Sequence, residues 1–156
     1  MGQYIQIREF NEEDLYSVYD MIQNAIDISY HTVYSKEAIE FFKAHHSVEH
    51  ILDDASNGYM IIAERESELL GTATLFDSNI RRVFVNPEYQ HSGVGKLLIQ
   101  DLEKKAFIKR LTVVDLEASL ASKLFWESLG FTVREEDYVP VRNNRKLRYY
   151  KMIKAL

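Results

Sequence analysis

The chain has 156 residues, 46% hydrophobic and 28% charged, with a formal net charge of −5 and no cysteine. Those values fit a globular domain able to bury one substantial core; they exclude disulfides and thiolate nucleophiles or metal ligands, and no apolar run approaches the roughly 18 residues of a membrane-spanning helix. Charge is unevenly spread, with four Lys/Arg against fifteen Asp/Glu over residues 1–77 and fifteen against nine over residues 78–156, which favours partners of opposite sign for the two halves.

Residues 1–10 mix Gln, Arg and Glu with apolar positions and lack the apolar stretch of a secretion leader, so a cytoplasmic location is expected. Tyr4 to Arg8 alternate, which predicts a strand. Asn11 is placed to cap a helix whose first turn carries Glu12, Glu13 and Asp14, matching the positive end of the helix dipole. Leu15, Val18, Tyr19, Ile22 and Ile26 then recur at helical spacing. A second helix is predicted after Ser35, with Ile39 and Phe42 inward. Residues 59–64 and 69–76 read as strands joined by a hairpin turn at Arg65-Glu66-Ser67-Glu68. Asp77-Ser78-Asn79 is a second turn, and residues 80–85 the third strand of this meander.

A helix follows, with Val94, Leu97, Leu98 and Leu102 along one stripe. Residues 111–116 form a further strand, parallel to residues 80–85 because a helix connects the two. Ala121, Leu124, Phe125 and Leu129 mark a last helix stopped by Gly130, and residues 131–134 and 147–153 finish as antiparallel strands. No repeat or Pro/Gly/Ser-rich linker divides the chain, so a single domain over residues 1–156 is expected. The class is mixed α/β (α+β), an antiparallel meander leading into a parallel β-α-β crossover.

Between the third strand and its helix lies Gln90-His91-Ser92-Gly93-Val94-Gly95-Lys96, after a turn at Asn86-Pro87. Glycines at a strand-to-helix turn leave backbone N–H groups uncovered at the positive end of a helix, a place that favours an anion, usually phosphate. A Walker loop would need Gly at position 90 and Ser or Thr at position 97, where Gln90 and Leu97 stand. A dinucleotide fingerprint would need a third Gly at position 98, which is Leu98.

The stretch from Val85-Asn86-Pro87 through Gln90-His91-Ser92-Gly93-Val94-Gly95-Lys96 to Leu97-Leu98 resembles the acetyl-CoA signature of the GNAT superfamily of N-acetyltransferases. That signature is Gln/Arg-x-x-Gly-x-Gly/Ala, preceded by Val-x-Pro and followed by an apolar helix. Ala63-Glu64 through Leu70-Gly71-Thr72-Ala73-Thr74-Leu75 is similar to the family's central hairpin, and Lys123 through Gly130-Phe131 to its last helix. The resemblance implies a mostly antiparallel sheet with helices on both faces, acetyl-CoA as co-substrate, and no metal. Backbone N–H groups from His91 to Lys96 are then expected to hold the pyrophosphate, with Lys96 adding charge. Phe84 and Val85 are expected to pair their backbone with the pantetheine arm. Ser119, Ser122 and Trp126 complete the implied cofactor contacts. The two parallel strands are expected to splay, with the Val85 N–H as oxyanion donor, worth about 3 kcal/mol in comparable sites.

The implied reaction is direct attack by an amine on an acetyl thioester. An alkyl ammonium has a pKa of about 10.4, so reaching its neutral form at pH 7 costs about 4.6 kcal/mol, and a general base and a general acid are useful. The family's usual Glu and Tyr positions are here Asn79 and Trp126, neither of which carries a transferable proton at neutral pH. Candidate proton carriers are Asp77, Glu64, His31, Tyr30, Tyr34 and Tyr150. The departures also admit an alternative, a catalytically impaired sensor that binds CoA or acetyl-CoA.

His46, His50 and Asp54 recur at i, i+4, i+8, a spacing that can bind zinc on one helix face, although no further ligand is evident. Asp101 and Glu103 interrupt the basic run Lys104, Lys105, Lys109, Arg110 near the end of its helix, so neither nucleic acid nor membrane is an expected partner. In the family the first two helices and their loop, about residues 28–35, wall the acceptor site. They belong to the acidic half, which implies a cationic amine acceptor: a polyamine, a basic peptide N-terminus or a lysine. A homodimer is possible in such folds.

Overall fold

Alternating sequence and turn chemistry produce seven strands among the described residues: β1 (Gln6–Glu9), β2 (Tyr59–Arg65), β3 (Glu68–Phe76), β4 (Asn79–Val85), β5 (Val113–Ser119), β6 (Thr132–Val141) and β7 (Arg145–Ala155). The computed structural model describes residues 4–156. The reading of residues 1–10 as lacking a leader falls partly on residues 1–3, outside that range. The strands form one sheet in the order β1-β2-β3-β4-β5-β7-β6. Neighbours run antiparallel except β4 and β5, which are parallel. The expected mixed class and crossover are both present.

Among the described residues, five helices cover the two faces: α1 (Leu15–Ser29), α2 (Lys36–His45), α3 (Val48–Asn57), α4 (Val94–Ile108) and α5 (Lys123–Ser128). Asn11 accepts from the Glu13 N–H and caps a 3-10 turn that leads into α1. Ser35 caps α2 as expected, accepting from Ala38 N–H. On one face α4 and α5 seal a core of Leu98, Ile99, Leu102, Trp126 and Phe131 against Ile61, Leu75, Val114 and Leu116. On the other, α1 and α3 bury Val18, Ile22, Ile26 and Ile51 against Met60, Ile62 and Phe84.

Several local expectations change. Leu97 is exposed, and Ile99 takes the inward place beside Leu98. The chain breaks at His46, where Ser47 accepts from the His50 N–H and starts α3. His46, His50 and Asp54 therefore do not share one helix face, and among the described residues no group of His, Asp or Glu has metal-binding geometry. The strand expected from residue 111 begins at Val113, because α4 ends in a Schellman-type cap. Arg110 takes φ 62°, its N–H donating to the Phe107 carbonyl while the Leu111 N–H donates to Ala106. The same cap ends α5, with Gly130 at φ 94°, its N–H on Glu127 and the Phe131 N–H on Trp126.

Candidate active site

β4 sets the site. Its register against β3 shifts between Thr72↔Phe84 and Thr74↔Arg81, so β4 carries one extra residue, and Arg82 takes φ 50°. Such a bulge places two successive side chains on one face. Arg81 and Arg82 accordingly both reach Asp54 of α3, and the inward set switches from Ile80 on the α4 side to Phe84 on the α1 side. Arg82 is pinned tightly, with Nε 2.9 Å from Asp54 Oδ2 and Nη1 2.9 Å from the His45 carbonyl and 2.7 Å from His46 Nδ1. Arginine only donates, so His46 Nδ1 accepts and the ring proton sits on Nε2. Burial and then the Arg82 charge push the His46 pKa well below the ordinary value, which keeps the ring neutral.

Ahead of the bulge, β4 and β5 pair at Asn79↔Asp115, and past it they separate. The Asn79 amide donates to Asp115 Oδ1 at 2.7 Å, and Arg81 Nε donates to Asn79 Oδ1 at 2.9 Å. Asn79 is thus committed to hydrogen bonds at the closed end of the gap. At the open end, the Asn86 N–H donates to the Leu70 carbonyl at 2.7 Å. Hydrogen-bonded and non-bonded pairs alternate along an antiparallel ladder. The next pair, Gly71↔Val85, is therefore non-bonded, and the Val85 N–H and C=O point away from β3 into the gap. By the same alternation the Phe84 backbone bonds to β3. Phe84 is therefore not free to pair with a pantetheine arm as expected, and its ring lines the site instead.

The loop after β4 is built to present N–H groups. Asn86 holds it to β3 through the Leu69 carbonyl and caps the turn at Pro87 by accepting from Glu88 N–H. His91 and Gly93 both take left-handed φ, 63° and 89°, and the Ser92 hydroxyl donates to the Tyr89 carbonyl. Gly93 then starts α4 without a side-chain cap, which leaves the first N–H groups of the helix facing outward. A Cβ at Gly93 would meet nothing within 4 Å, so the space in front of the loop is open. A Cβ at Gly95 would lie 2.9 Å from the Phe125 ring, so this glycine lets α4 start against α5. An uncapped helix start, an open cradle and a strand gap together fit a pyrophosphate carrying an extended arm.

A cavity of about 900 Å³ joins these parts. β4 gives it Phe84 and Val85, and the loop gives Gln90, His91 and Gly93. Val94, Gly95 and Lys96 line it from α4, and Ser119, Ser122 and Trp126 from the far side. Ser92 stands outside the lining. The Ser119 and Ser122 hydroxyls lie 3.1 Å apart.

Of the expected proton carriers only Tyr30 reaches the cavity. Burial raises its phenol pKa, with Ser119 opposing. Tyr34 donates to the Arg148 carbonyl and accepts from Leu120 N–H, so its hydroxyl is committed. Glu64 is held by Arg8 at 2.9 Å, and Asp77, His31 and Tyr150 lie outside the lining. The acidic residues of the N-terminal half do not wall the site either. Glu117 of β5 is the one carboxylate among the lining residues. Glu117, Arg81, His45 and Tyr149 were missed from sequence; only the alternation of β5, which puts Glu117 on the face of Ser119, hinted at one of them.

Residues 30–156 match the acetyltransferase (GNAT) domain family. The spermidine N(1)-acetyltransferase of Thermoplasma acidophilum is 26% identical over 148 residues, covering 85% of this chain and 91% of that protein. A GCN5-related N-acetyltransferase from Rhodopseudomonas palustris superposes with a TM-score of 0.89 at 24% identity, over 97% of this chain and 95% of that one. The PaiA N-acetyltransferase of Thermoplasma acidophilum, solved in complex with coenzyme A, gives 0.78 at 22% identity, over 99% and 100%. The last two likenesses are of fold.

Proposed function

The chain belongs to the GNAT family of acetyltransferases, and on that premise we propose that it moves an acetyl group from acetyl-CoA to the primary amine of a cationic acceptor, acting as one domain. The observation that carries this reading is the gap between β4 and β5, with the Val85 N–H turned into it and the uncapped start of α4 beside it. Acetyl-CoA supplies an activated thioester and an anionic handle. The loop N–H groups and Lys96 bind the handle, and Ser119 and Ser122 meet the arm. The Val85 N–H donates to the carbonyl oxygen where negative charge grows.

As the nitrogen–carbon bond forms and the carbon–sulfur bond breaks, the electron pair leaves with sulfur. Tyr30, protonated at neutral pH, gives the sulfur its proton, and the proton shed by the amine passes to water, which also reprotonates Tyr30. Tyr30→Phe is expected to lower kcat about tenfold to a hundredfold with little change in the KM for acetyl-CoA. Unchanged kcat would place the proton donor elsewhere.

The likeness to a spermidine acetyltransferase supports a cationic acceptor, and lysine side chains and basic peptide N-termini share that chemistry. A cytoplasmic setting goes with this reading, since the thioester is a metabolite of the cell interior. The test is thiol release from acetyl-CoA against a panel of amines at low and high salt. Cationic alkylamines are expected to react best, and their KM to rise about fivefold as salt screens the attraction. Equal activity on neutral and multiply cationic amines at low salt would remove the cationic preference.

A further inference from the structure

We propose that Glu117 is the specificity-determining residue that receives the acceptor's ammonium group; this rests on the acetyl-transfer reading above. β5 alternates strictly. Val114, Leu116 and Ala118 are buried in the core on the α4 side, so Asp115, Glu117 and Ser119 project to the opposite face. Glu117 thus stands one pleat, about 6.6 Å, from Ser119 toward the point where β4 and β5 meet. The phosphate cradle lies at the other end of the gap. An amine approaching Val85 from the α1–α2 side meets Glu117.

The neighbouring carboxylates are already engaged. Asp54 is held by Arg82 and Asp115 by Asn79, while Glu135 and Asp137 share Lys151, which stands opposite Glu117 on β7. Glu117 has neither an ion pair nor a side-chain hydrogen bond among the described residues. It is exposed in the open cavity and would lose solvent only when an acceptor covers it. The rest of that wall is aromatic, with Phe42, Phe84 and Tyr149 available to pack the acceptor's carbon chain and to favour a cation over their faces. With the cationic guanidinium of Arg81 on the β4 side, Glu117 is the one carboxylate among the lining residues and the only anionic partner they offer a positive charge.

Glu117→Gln keeps shape and hydrogen bonding and removes the charge. The expected result is an acceptor KM about tenfold higher for an alkylamine with two amino groups, one staying protonated at Glu117 while the other attacks, with kcat and the KM for acetyl-CoA unchanged. An arylamine whose nitrogen is uncharged at neutral pH is expected to show no change. An unaltered alkylamine KM, or an equal rise for the arylamine, would overturn the assignment. Should the unsubstituted protein turn over no amine, the acetyl-transfer reading fails by itself. Calorimetric binding of the alkylamine to the CoA-loaded protein and its Glu117→Gln variant then decides the role of Glu117: tenfold weaker binding supports it, and equal binding overturns it.

Discussion

Gly93→Asp is expected to weaken acetyl-CoA binding about a thousandfold while the protein stays folded. Gly93 sits at φ 89°, where a side chain costs about 1–2 kcal/mol of folding stability in free and bound protein alike, so the loss of affinity comes from what the side chain adds to the loop. The new Cβ enters the open space ahead of the α4 start, and a carboxylate there meets pyrophosphate with a like-charge penalty of several kcal/mol. Because nothing of the protein lies within 4 Å of that Cβ, the folded state has no clash to relieve. Titration calorimetry against acetyl-CoA, with a thermal melt to check folding, measures the effect. Undiminished affinity would show that the phosphates are held elsewhere.

Asp54→Asn is expected to destabilise the protein by about 3 kcal/mol, a fall of about 6–12 °C in Tm. The side chains of Arg82 and Asp54 are only 4% and 6% exposed, so the substitution leaves a buried guanidinium without its counter-charge. Arg82 ties the β4 bulge to the end of α2, so this variant is also expected to lose activity through a misplaced gap. The same knot fixes a pH response. Folded His46 is neutral and its pKa is depressed by burial and by Arg82, whereas the unfolded chain's imidazole takes a proton near the ordinary value of about 6.5. Below that pH the unfolded state binds more protons, so stability is full above it and falls as pH drops toward 5. A melting temperature that stays level between about pH 7.5 and 5.5 would contradict the assigned role of His46.

How much could be read from sequence differed across the two halves of the site. The donor loop was legible because its backbone demands particular residues: a left-handed Gly93, a small Gly95 against Phe125, and Pro87 after a capping Asn86. The meander and crossover were legible from alternation and helical spacing. Glu117 was not, since it reads as an ordinary outward residue of β5. Only the sheet order, with β7 inserted beside β5 and β4 parting from it, brings that position to the cavity. Arg81 and Arg82 carry no signature of a bulge, and the break between α2 and α3 hangs on one Ser47 cap that a longer amphipathic pattern hides. That the Phe84 backbone faces β3 while Val85 faces the gap was hidden for a related reason: which backbone groups face the gap depends on pairing register, not on residue type.

We propose that the parted strands β4 and β5 bring an acetyl thioester to an amine for direct transfer. Incubating the protein with acetyl-CoA labelled in its acetyl group and a cationic alkylamine tests it most directly. The expected outcome is label on the amine, free CoA thiol in equal amount, and no label on the protein. Tight acetyl-CoA binding with no thiol released in the presence of any amine would contradict it and would describe a sensor instead.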